Sequence, residues 1–177
     1  MFGQRLLKYW ISLVSASQKK TSQNLQQQQK ESKNNMSYAI DLIKKYEGLS
    51  LKAYKCPAGV WTVGYGTTIY PDGTPVKMGD TVTKEKAEAL LLDYVINKIM
   101  PNIRDLGLTS NQESAVCSLV YNIGWGAFKK SKCYKAIKAK DWKTVYREWD
   151  WITADGKVLN GLIKRREEER YLFFLDI

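Results

Sequence analysis

The stretch that most limits the fold of this 177-residue chain runs from Glu47 to Thr68 and reads EGLSLKAYKCPAGVWTVGYGTT. It passes from a charged segment into residues that favour extended backbone, among them Val60, Trp61 and Val63. Glycines stand on both sides of Tyr65, where a backbone bends or another segment approaches closely. The pattern predicts a helix that ends at Glu47 and a β-hairpin that follows it directly.

The segments around this stretch support that prediction. Apolar residues recur at helical spacing over residues 37–47, and Gly48 fits the end of a helix. Residues 52–70 are expected to form the hairpin, with a third short strand beside the turn signature at 71–74.

The remainder of the chain has mainly helical patterns. A long helix is expected to begin at Thr83 and to end near Pro101. A capping box is expected at residues 110–113, followed by a helix that breaks at Gly124. A small strand region inside a helical remainder predicts an α+β fold.

The first 35 residues differ from the rest. The apolar run at residues 9–16 is too short to span a bilayer, which needs about 20 apolar residues. Two interpretations stay open: a weak export or membrane-surface segment, or a tail, linker or added segment. Residues 19–35 are polar and rich in glutamine, which is typical of a flexible linker. The folded domain is therefore expected to span residues 36–177.

Composition excludes several kinds of site. The chain has no His, so imidazole metal sites and nucleophile–His pairs are excluded. Its three cysteines (Cys56, Cys117, Cys133) lack the CxxC spacing of zinc sites, and their odd number disfavours a disulfide framework, although one bridge is possible. No metal or cofactor is predicted.

The formal net charge of +10 predicts an acidic partner, either a nucleic acid, an anionic membrane or a polyanionic cell wall. No nucleic-acid-binding module is recognisable, so nucleic acid is not expected. Seven lysines form a basic cluster, which is either a solvated helical face or a surface for anionic polymers: Lys129, Lys130, Lys132, Lys135, Lys138, Lys140 and Lys143.

Three side chains in the organising stretch can handle protons or hold a water molecule: Glu47, Cys56 nine residues later and Thr62 fifteen residues later. Cleavage of a glycosidic bond needs a carboxylic acid that protonates the leaving oxygen and a second group that activates water or attacks the sugar. Glu47, at a helix end beside an apolar hairpin, suits the first role. By residue type alone, it is equally an ordinary surface glutamate.

Order and spacing together make the chain similar to the phage-type lysozymes, or endolysins, of glycoside hydrolase family 24. The resemblance covers about residues 37–175. It rests on Glu47, Cys56, Thr62 and Gly64-Tyr65-Gly66, on Gln112, Ala115, residues 119–124 and Gly126-Ala127-Phe128, and on Trp149, Gly161-Leu162, Arg165-Arg166 and Glu169-Arg170.

The resemblance implies a two-lobed lysozyme with a cleft between a small β lobe and a larger helical lobe. It implies hydrolysis of the β-1,4 bond from N-acetylmuramic acid to N-acetylglucosamine in peptidoglycan. Glu47 corresponds to the general acid and Thr62 to the residue that helps to place the catalytic water. Arg166, or alternatively Arg165, is expected to pair with Glu47 and orient it. Tyr121, Asn122 and Ser131 match positions near the sugar groove.

Two residues depart from the family's usual pattern. Cys56 stands where the family usually has Asp, although some phage members carry Cys there. It is expected either to act as base or nucleophile when ionised, or only to fill space while Glu47 and Thr62 suffice. Thr67 replaces the usual His after Gly-Tyr-Gly, which affects a local hydrogen bond rather than the activity.

The resemblance further implies an endolysin that acts as a monomer and stays in the host cytoplasm until it reaches the wall, unless the N-terminal segment exports it. Two other functions stay open. One is a catalytically weak, lysozyme-fold protein that only binds the cell wall, because Asp has become Cys. The other assigns lysis to residues 1–16 as a cationic, membrane-perturbing helix.

Overall fold

The computed structural model describes residues 37–154 and 156–177. Helix α1 covers residues 37–47 and leads into strands β1 (Ser50–Lys55) and β2 (Trp61–Gly64). The predicted tail at residues 1–35 lies outside the described residues, so the proposed domain boundary stays a prediction.

Strands β1 and β2 form the predicted antiparallel hairpin. Tyr54 is opposite Thr62, and the register shifts between Ser50 and Tyr54. The third strand that we expected is present only as isolated bridges, such as the one between Ile69 and Pro75. Proline has no N–H to continue a ladder, which explains why the pairing stops there.

The helical part begins with α2 (Lys84–Tyr94), which Thr83 caps as predicted by accepting a hydrogen bond from the Lys86 N–H. A π-helical turn (Val95–Ile99) and α3 (Met100–Ile103) follow. The expectation that Pro101 ends this helix is wrong. Pro101 lies in the first turn of α3, where its missing N–H interrupts no hydrogen bond.

The remaining helices surround α4. A 3-10 turn (Arg104–Leu106) precedes α4 (Ser110–Ile123), and α5 (Trp125–Lys130), α6 (Lys132–Ala139), α7 (Trp142–Arg147) and α8 (Asn160–Phe173) follow. The capping box is one residue earlier than predicted, because Thr109 is the N-cap and Gln112 its partner. The break at Gly124 is confirmed, with a φ of 81° that favours glycine.

The core lies where α4 packs along α8 and the shorter helices cover both. Trp149, Phe128 and Phe173 are fully buried there, and Phe173 contacts the rings of Trp142 and Trp149. A second small hairpin pairs β3 (Thr153–Ala154) with β4 (Lys157–Val158). Among the described helices, none is long and apolar enough to cross a membrane. The observed architecture is the predicted α+β fold, with a small β region and a mostly helical body.

Candidate active site

Glu47 is the last residue of α1, and its side chain is fixed by a residue of α8. The helix ends after it because Gly48 takes a φ of 71°, a conformation that glycine adopts without strain. The Glu47 Oε1 atom accepts a hydrogen bond from Arg165 Nη1 of α8 at 2.6 Å. The side chain of Glu47 is 22% exposed, so this carboxyl group is partly open to solvent.

Because Gly66 has no side chain, its backbone lies close to both Glu47 and Tyr121. A Cβ atom at this position would lie 3.8 Å from Glu47 Oε2 and 3.6 Å from the Tyr121 hydroxyl oxygen, and its φ is 105°. The Tyr121 hydroxyl donates a hydrogen bond to the Tyr65 carbonyl oxygen at 2.7 Å. The Gly-Tyr-Gly segment therefore brings the backbone of the β lobe against both Glu47 and α4.

The pairing expected between Glu47 and Arg166 is wrong, and the alternative, Arg165, makes it. Successive residues of an α-helix point about 100° apart, so only one of two adjacent arginines on α8 can face Glu47. Arg165 faces Glu47. Its guanidinium also lies over the ring of Tyr46, with the Cζ atom 5.6 Å from the ring centre.

Arg166 does not contact Glu47 but donates to Asn122 of α4. Its Nη2 atom donates to Asn122 Oδ1 at 3.0 Å, and its Nε atom lies 3.0 Å from Glu169 Oε2 as an ion pair without hydrogen-bond alignment. Among the described residues, no hydrogen-bond partner is found for its buried Nη1. Burial lowers the pKa of Arg166 to about 10 although Glu169 opposes the shift, so the guanidinium remains charged at neutral pH.

A buried carboxyl group connects the two arginines. Glu169 is fully buried, and its Oε1 atom accepts hydrogen bonds from Ser118 Oγ at 2.6 Å and Arg165 Nε at 3.1 Å. Trp149 Nε1 donates to its other oxygen at 3.3 Å. Burial raises the pKa of Glu169 above its ordinary value, although the two arginines oppose the shift. Because every neighbour within reach is a donor, the group fits its site as an ionised, acceptor-only carboxylate.

Glu169, Ser118 and Trp149 are parts of the site that the sequence analysis did not assign. The signal was present for Glu169, since it lies three and four residues after the two arginines, the spacing at which helix side chains meet. No comparable local signal exists for Ser118, which is distant in sequence.

Cys56 and Thr62 lie together on the hairpin. The loop is closed by hydrogen bonds from Cys56 N to Val60 O at 3.0 Å and from Gly59 N to Cys56 O at 2.8 Å. Hydrogen bonding from the Val60 backbone N–H, followed by smaller effects of the Ala58 N–H and the Thr62 hydroxyl, lowers the pKa of the Cys56 thiol. Thr62 is buried, and its hydroxyl donates a hydrogen bond to the Val60 carbonyl oxygen at 3.1 Å.

The other two cysteines have a different character. All three thiols are free, so the disulfide that the sequence left possible is not formed. Cys117 and Cys133 are buried, and burial raises the pKa of each to about 12. Cys56 is therefore the thiol that ionises most readily.

A groove with a cavity volume of about 530 Å³ reaches Gly66, the residue that lies against Glu47 Oε2, whereas Glu47, Cys56 and Thr62 do not themselves line it. Its walls come from residues 66–71 of the β lobe, from α2 and the π-helical turn through Asp93 and Asn97, and from Tyr121 of α4. Ligand sites typically have volumes of about 300–1,000 Å³, so the groove has room for part of a polymer chain. Burial raises the pKa of Tyr121, which keeps its hydroxyl protonated.

The three residues predicted near the sugar groove have different surroundings. Tyr121 lines the groove, and Asn122 is exposed beside it. Ser131 is the N-cap of α6, where its hydroxyl accepts from the Tyr134 N–H at 3.0 Å and donates to the Phe128 carbonyl oxygen at 2.6 Å. Within residues 37–154 and 156–177, no three His, Cys, Asp or Glu side chains form a group that could hold a metal ion.

Comparison with known proteins adds evidence of a different kind. The family model described as Phage lysozyme matches residues 44–169. The endolysin of Acyrthosiphon pisum secondary endosymbiont phage 1 is 42% identical over 139 residues, which cover 75% of this chain and 92% of that protein. The endolysin of Salmonella phage P22 is 36% identical over 140 residues, covering 77% and 95%. The structure of an endolysin from Escherichia coli O157:H7 phage FAHEc1 superposes with a TM-score of 0.68 at 36% identity, covering 79% of this chain and 92% of that one.

Proposed function

The chain belongs to the phage lysozyme family, glycoside hydrolase family 24, and we propose that Glu47, Cys56 and Thr62 carry out its reaction. It is a muramidase endolysin that hydrolyses the β-1,4 bond between N-acetylmuramic acid and N-acetylglucosamine in peptidoglycan and so lyses the host cell. The observation that carries the residue assignment is the position of Glu47, whose carboxyl group is fixed by Arg165 and lies against Gly66, a residue that lines the groove.

Glu47 acts as the general acid. Its Oε1 atom is occupied by Arg165, whereas Oε2 lies on the side of Gly66 and Tyr121, which line the groove. The proton passes from Oε2 to the glycosidic oxygen as the bond to the anomeric carbon breaks. Arg165 orients the group and stabilises the carboxylate that remains after proton transfer.

Cys56 supplies the second function as a thiolate. Its lowered pKa gives it a larger ionised fraction near neutral pH than an ordinary thiol has. As a base it removes a proton from the water that attacks the anomeric carbon, and the product is inverted. As a nucleophile it forms a sulfur–carbon bond that water later breaks, and configuration is retained. Thr62 helps to hold the water in the first route.

Asn122 and Tyr121 bind sugar in this proposal, and Ser131 stays a weaker candidate. Arginine can only donate, so the contact with Arg166 fixes Asn122 Oδ1 as an acceptor and keeps its NH₂ group as a donor. Such a donor suits the carbonyl oxygen of an N-acetyl group. Ser131 already has both of its hydrogen-bonding directions engaged within the protein.

The test is product analysis on purified peptidoglycan with wild type and Glu47→Gln. Wild type is expected to release chains with N-acetylmuramic acid at the reducing end, and Glu47→Gln to release almost none while still binding the wall. Equal release by both proteins would remove Glu47 from the mechanism. Clearing that is equally absent from both proteins would support the rival function, a protein that only binds the wall.

The anomeric configuration of the first product distinguishes the two routes for Cys56. Inversion supports a water activated by the thiolate, and retention supports direct attack by sulfur. Nuclear magnetic resonance of a soluble glycan strand, recorded within the first minutes of cleavage, measures this configuration before mutarotation.

The basic cluster gives the chain a second contact with its target. All seven of its lysines are exposed, and among the described residues none of them forms an ion pair. Lys140 differs from the others because its Nζ atom donates to the Leu106 and Gly107 carbonyl oxygens. We infer attraction to anionic wall polymers or phospholipid. Lys132→Glu/Lys135→Glu is expected to weaken sedimentation with anionic vesicles or cell walls, whereas Lys164→Glu on α8 serves as the control.

The site of action is the host cell wall after release. We propose that the protein waits in the cytoplasm as a monomer, with export by the N-terminal segment as the alternative. Cell fractionation before lysis and sedimentation of the purified protein test these two points. A chain that starts at Met36 and loses all lysis would favour the rival in which residues 1–16 perturb the membrane.

A further inference from the structure

The buried carboxylate of Glu169 lies behind the proposed acid and does not touch the groove. Glu169 and Glu47 are both joined to one side chain, Arg165, which uses Nε for the first and Nη1 for the second. The third nitrogen of that guanidinium, Nη2, donates to the Ser118 carbonyl oxygen at 3.1 Å. All three nitrogens of Arg165 are thus engaged: Nε by α8, Nη1 by α1 and Nη2 by α4.

This arrangement defines the plane of the Arg165 guanidinium. Its contact with Glu169 spans one turn of α8, and its contact with Ser118 crosses to α4. Because a guanidinium presents its donors in a fixed planar fork, fixing Nε and Nη2 also fixes the direction of Nη1. The direction of Nη1 in turn determines where the Glu47 carboxyl group stands.

Glu169 also sets the net charge next to Glu47. Arg165 and Arg166 are two buried cations and Glu169 is one buried anion, which leaves one net positive charge facing Glu47. Without Glu169, two positive charges would face it. A second positive charge stabilises the ionised form of a nearby carboxyl group, which is the wrong form for a general acid.

Other titratable groups face this cluster without replacing Glu169. From α1 these are Tyr46 and Glu47, from α4 they are Cys117 and Tyr121, and from α8 Glu168 contacts Tyr46. Burial raises the pKa of Tyr46, Cys117 and Tyr121, so these groups are neutral in the working pH range. The carboxylate of Glu168 is paired with Lys45 at 2.6 Å, so Glu169 is the anion that balances the second arginine.

We propose that Glu169 is a positioning residue for catalysis: it fixes Arg165 against Glu47 and cancels the charge of Arg166 next to the acid. The inference rests on the proposed role of Glu47. It assigns a catalytic consequence to a residue that makes no contact with the groove.

The test compares Glu169→Gln with Glu167→Gln, which removes the same charge two residues away from an exposed position on the same helix. Rates on soluble, uncrosslinked glycan strands are measured across pH, at a temperature where circular dichroism shows each variant folded. For Glu169→Gln we expect kcat to fall about 10- to 100-fold with KM nearly unchanged, as for a small misplacement of a reacting group. Glu167→Gln is expected to match wild type.

The pH profile separates this role from a purely structural one. One extra positive charge a few ångströms away is expected to move the alkaline limb of Glu169→Gln to lower pH by about one unit. The double variant Glu169→Gln/Arg166→Gln restores one net positive charge and should return the limb towards its wild-type position. Arg166→Gln alone removes a positive charge and should move the limb to higher pH, which keeps the test available if Glu169→Gln does not fold.

Two results would overturn parts of the account separately. An unchanged kcat and alkaline limb in folded Glu169→Gln, or an unmoved limb in Arg166→Gln, would refute the inference while an inactive Glu47→Gln leaves the proposed function standing. An active Glu47→Gln would refute the proposed function itself.

Discussion

The two sides of the proposed catalytic site are built in opposite ways. On the helical side, Glu47 is fixed by Arg165, which is buried and engaged by three helices. On the hairpin side, Cys56 is partly exposed, and its ionised thiol is stabilised by backbone N–H groups of its own loop and by Thr62. The acid thus depends on long-range packing, whereas the thiol depends on local hairpin geometry.

This difference has a chemical reason. A general acid must keep one orientation and one protonation state until the leaving oxygen arrives, so a rigid, charge-balanced support helps it. A thiolate needs its charge stabilised without burial, because burial raises the pKa of a thiol, as it does for Cys117. Each side therefore carries the environment that its proposed role requires.

The largest effect is expected at the acid. Glu47→Gln keeps the shape of the side chain and can still contact Arg165, but it has no proton to donate. We expect a loss of about 10²- to 10⁴-fold in kcat, the usual contribution of a general acid. Release of reducing ends from purified peptidoglycan measures it, and wall binding by the same variant is the control. A loss of less than tenfold would contradict the comparison on its helical side.

The next largest effect concerns stability and should separate the two sides. Arg165→Met leaves buried Glu169 without one of its cations, which typically costs about 3–5 kcal/mol in the free energy of unfolding. Cys56→Ser changes a partly exposed loop residue and should alter that free energy by less than about 0.5 kcal/mol. Urea denaturation of the two variants measures both values. If the two variants have similar free energies of unfolding, Arg165 does not stabilise the helical side as described.

The smallest of these effects lies on the hairpin side. Thr62→Val removes the Thr62 hydroxyl while keeping the β-branched shape. Because that hydroxyl helps to lower the pKa of Cys56, its loss raises the pKa and moves the acid limb of the pH–rate profile to higher pH. We expect this shift with a loss of about tenfold in rate, in line with a lost hydrogen bond to a charged group. Thr62→Ser retains the hydroxyl and should stay close to wild type, and a Ser variant as impaired as Val would argue against the hydrogen bond.

Much of the fold was predictable from the sequence because its signals are local. The helix that ends at Glu47, the hairpin after it and the break at Gly124 each follow from residue type and spacing within a short window. The third strand was wrongly expected because the turn signature at 71–74 was weighed without the missing N–H of Pro75, at which pairing stops. The sequence did not predict that helical structure continues past Pro101. A π-helical turn precedes this proline and places it in the first turn of α3, where proline is tolerated.

The site shows the same limit. The positions of Glu47, Cys56 and Thr62 follow from an ordered motif, so the sequence was sufficient to propose them. Which of Arg165 and Arg166 faces Glu47 depends on how α8 is rotated against α4, and adjacent arginines carry no local signal of that rotation. Ser118 could not be found from sequence, since its contact with Arg165 joins residues 47 positions apart.

The central claim, that a protonated carboxyl group and an ionised thiol act on the same bond, is tested most directly by one set of pH–rate profiles. Wild type, Cys56→Ser and Cys56→Asp are compared on purified peptidoglycan. Wild type should lose activity on the acid side as Cys56 gains its proton, and Cys56→Ser should be strongly impaired throughout. Cys56→Asp should stay active to lower pH, because a carboxyl group ionises near pH 4. Three coincident profiles would contradict the claim and leave Cys56 as a residue that only fills space.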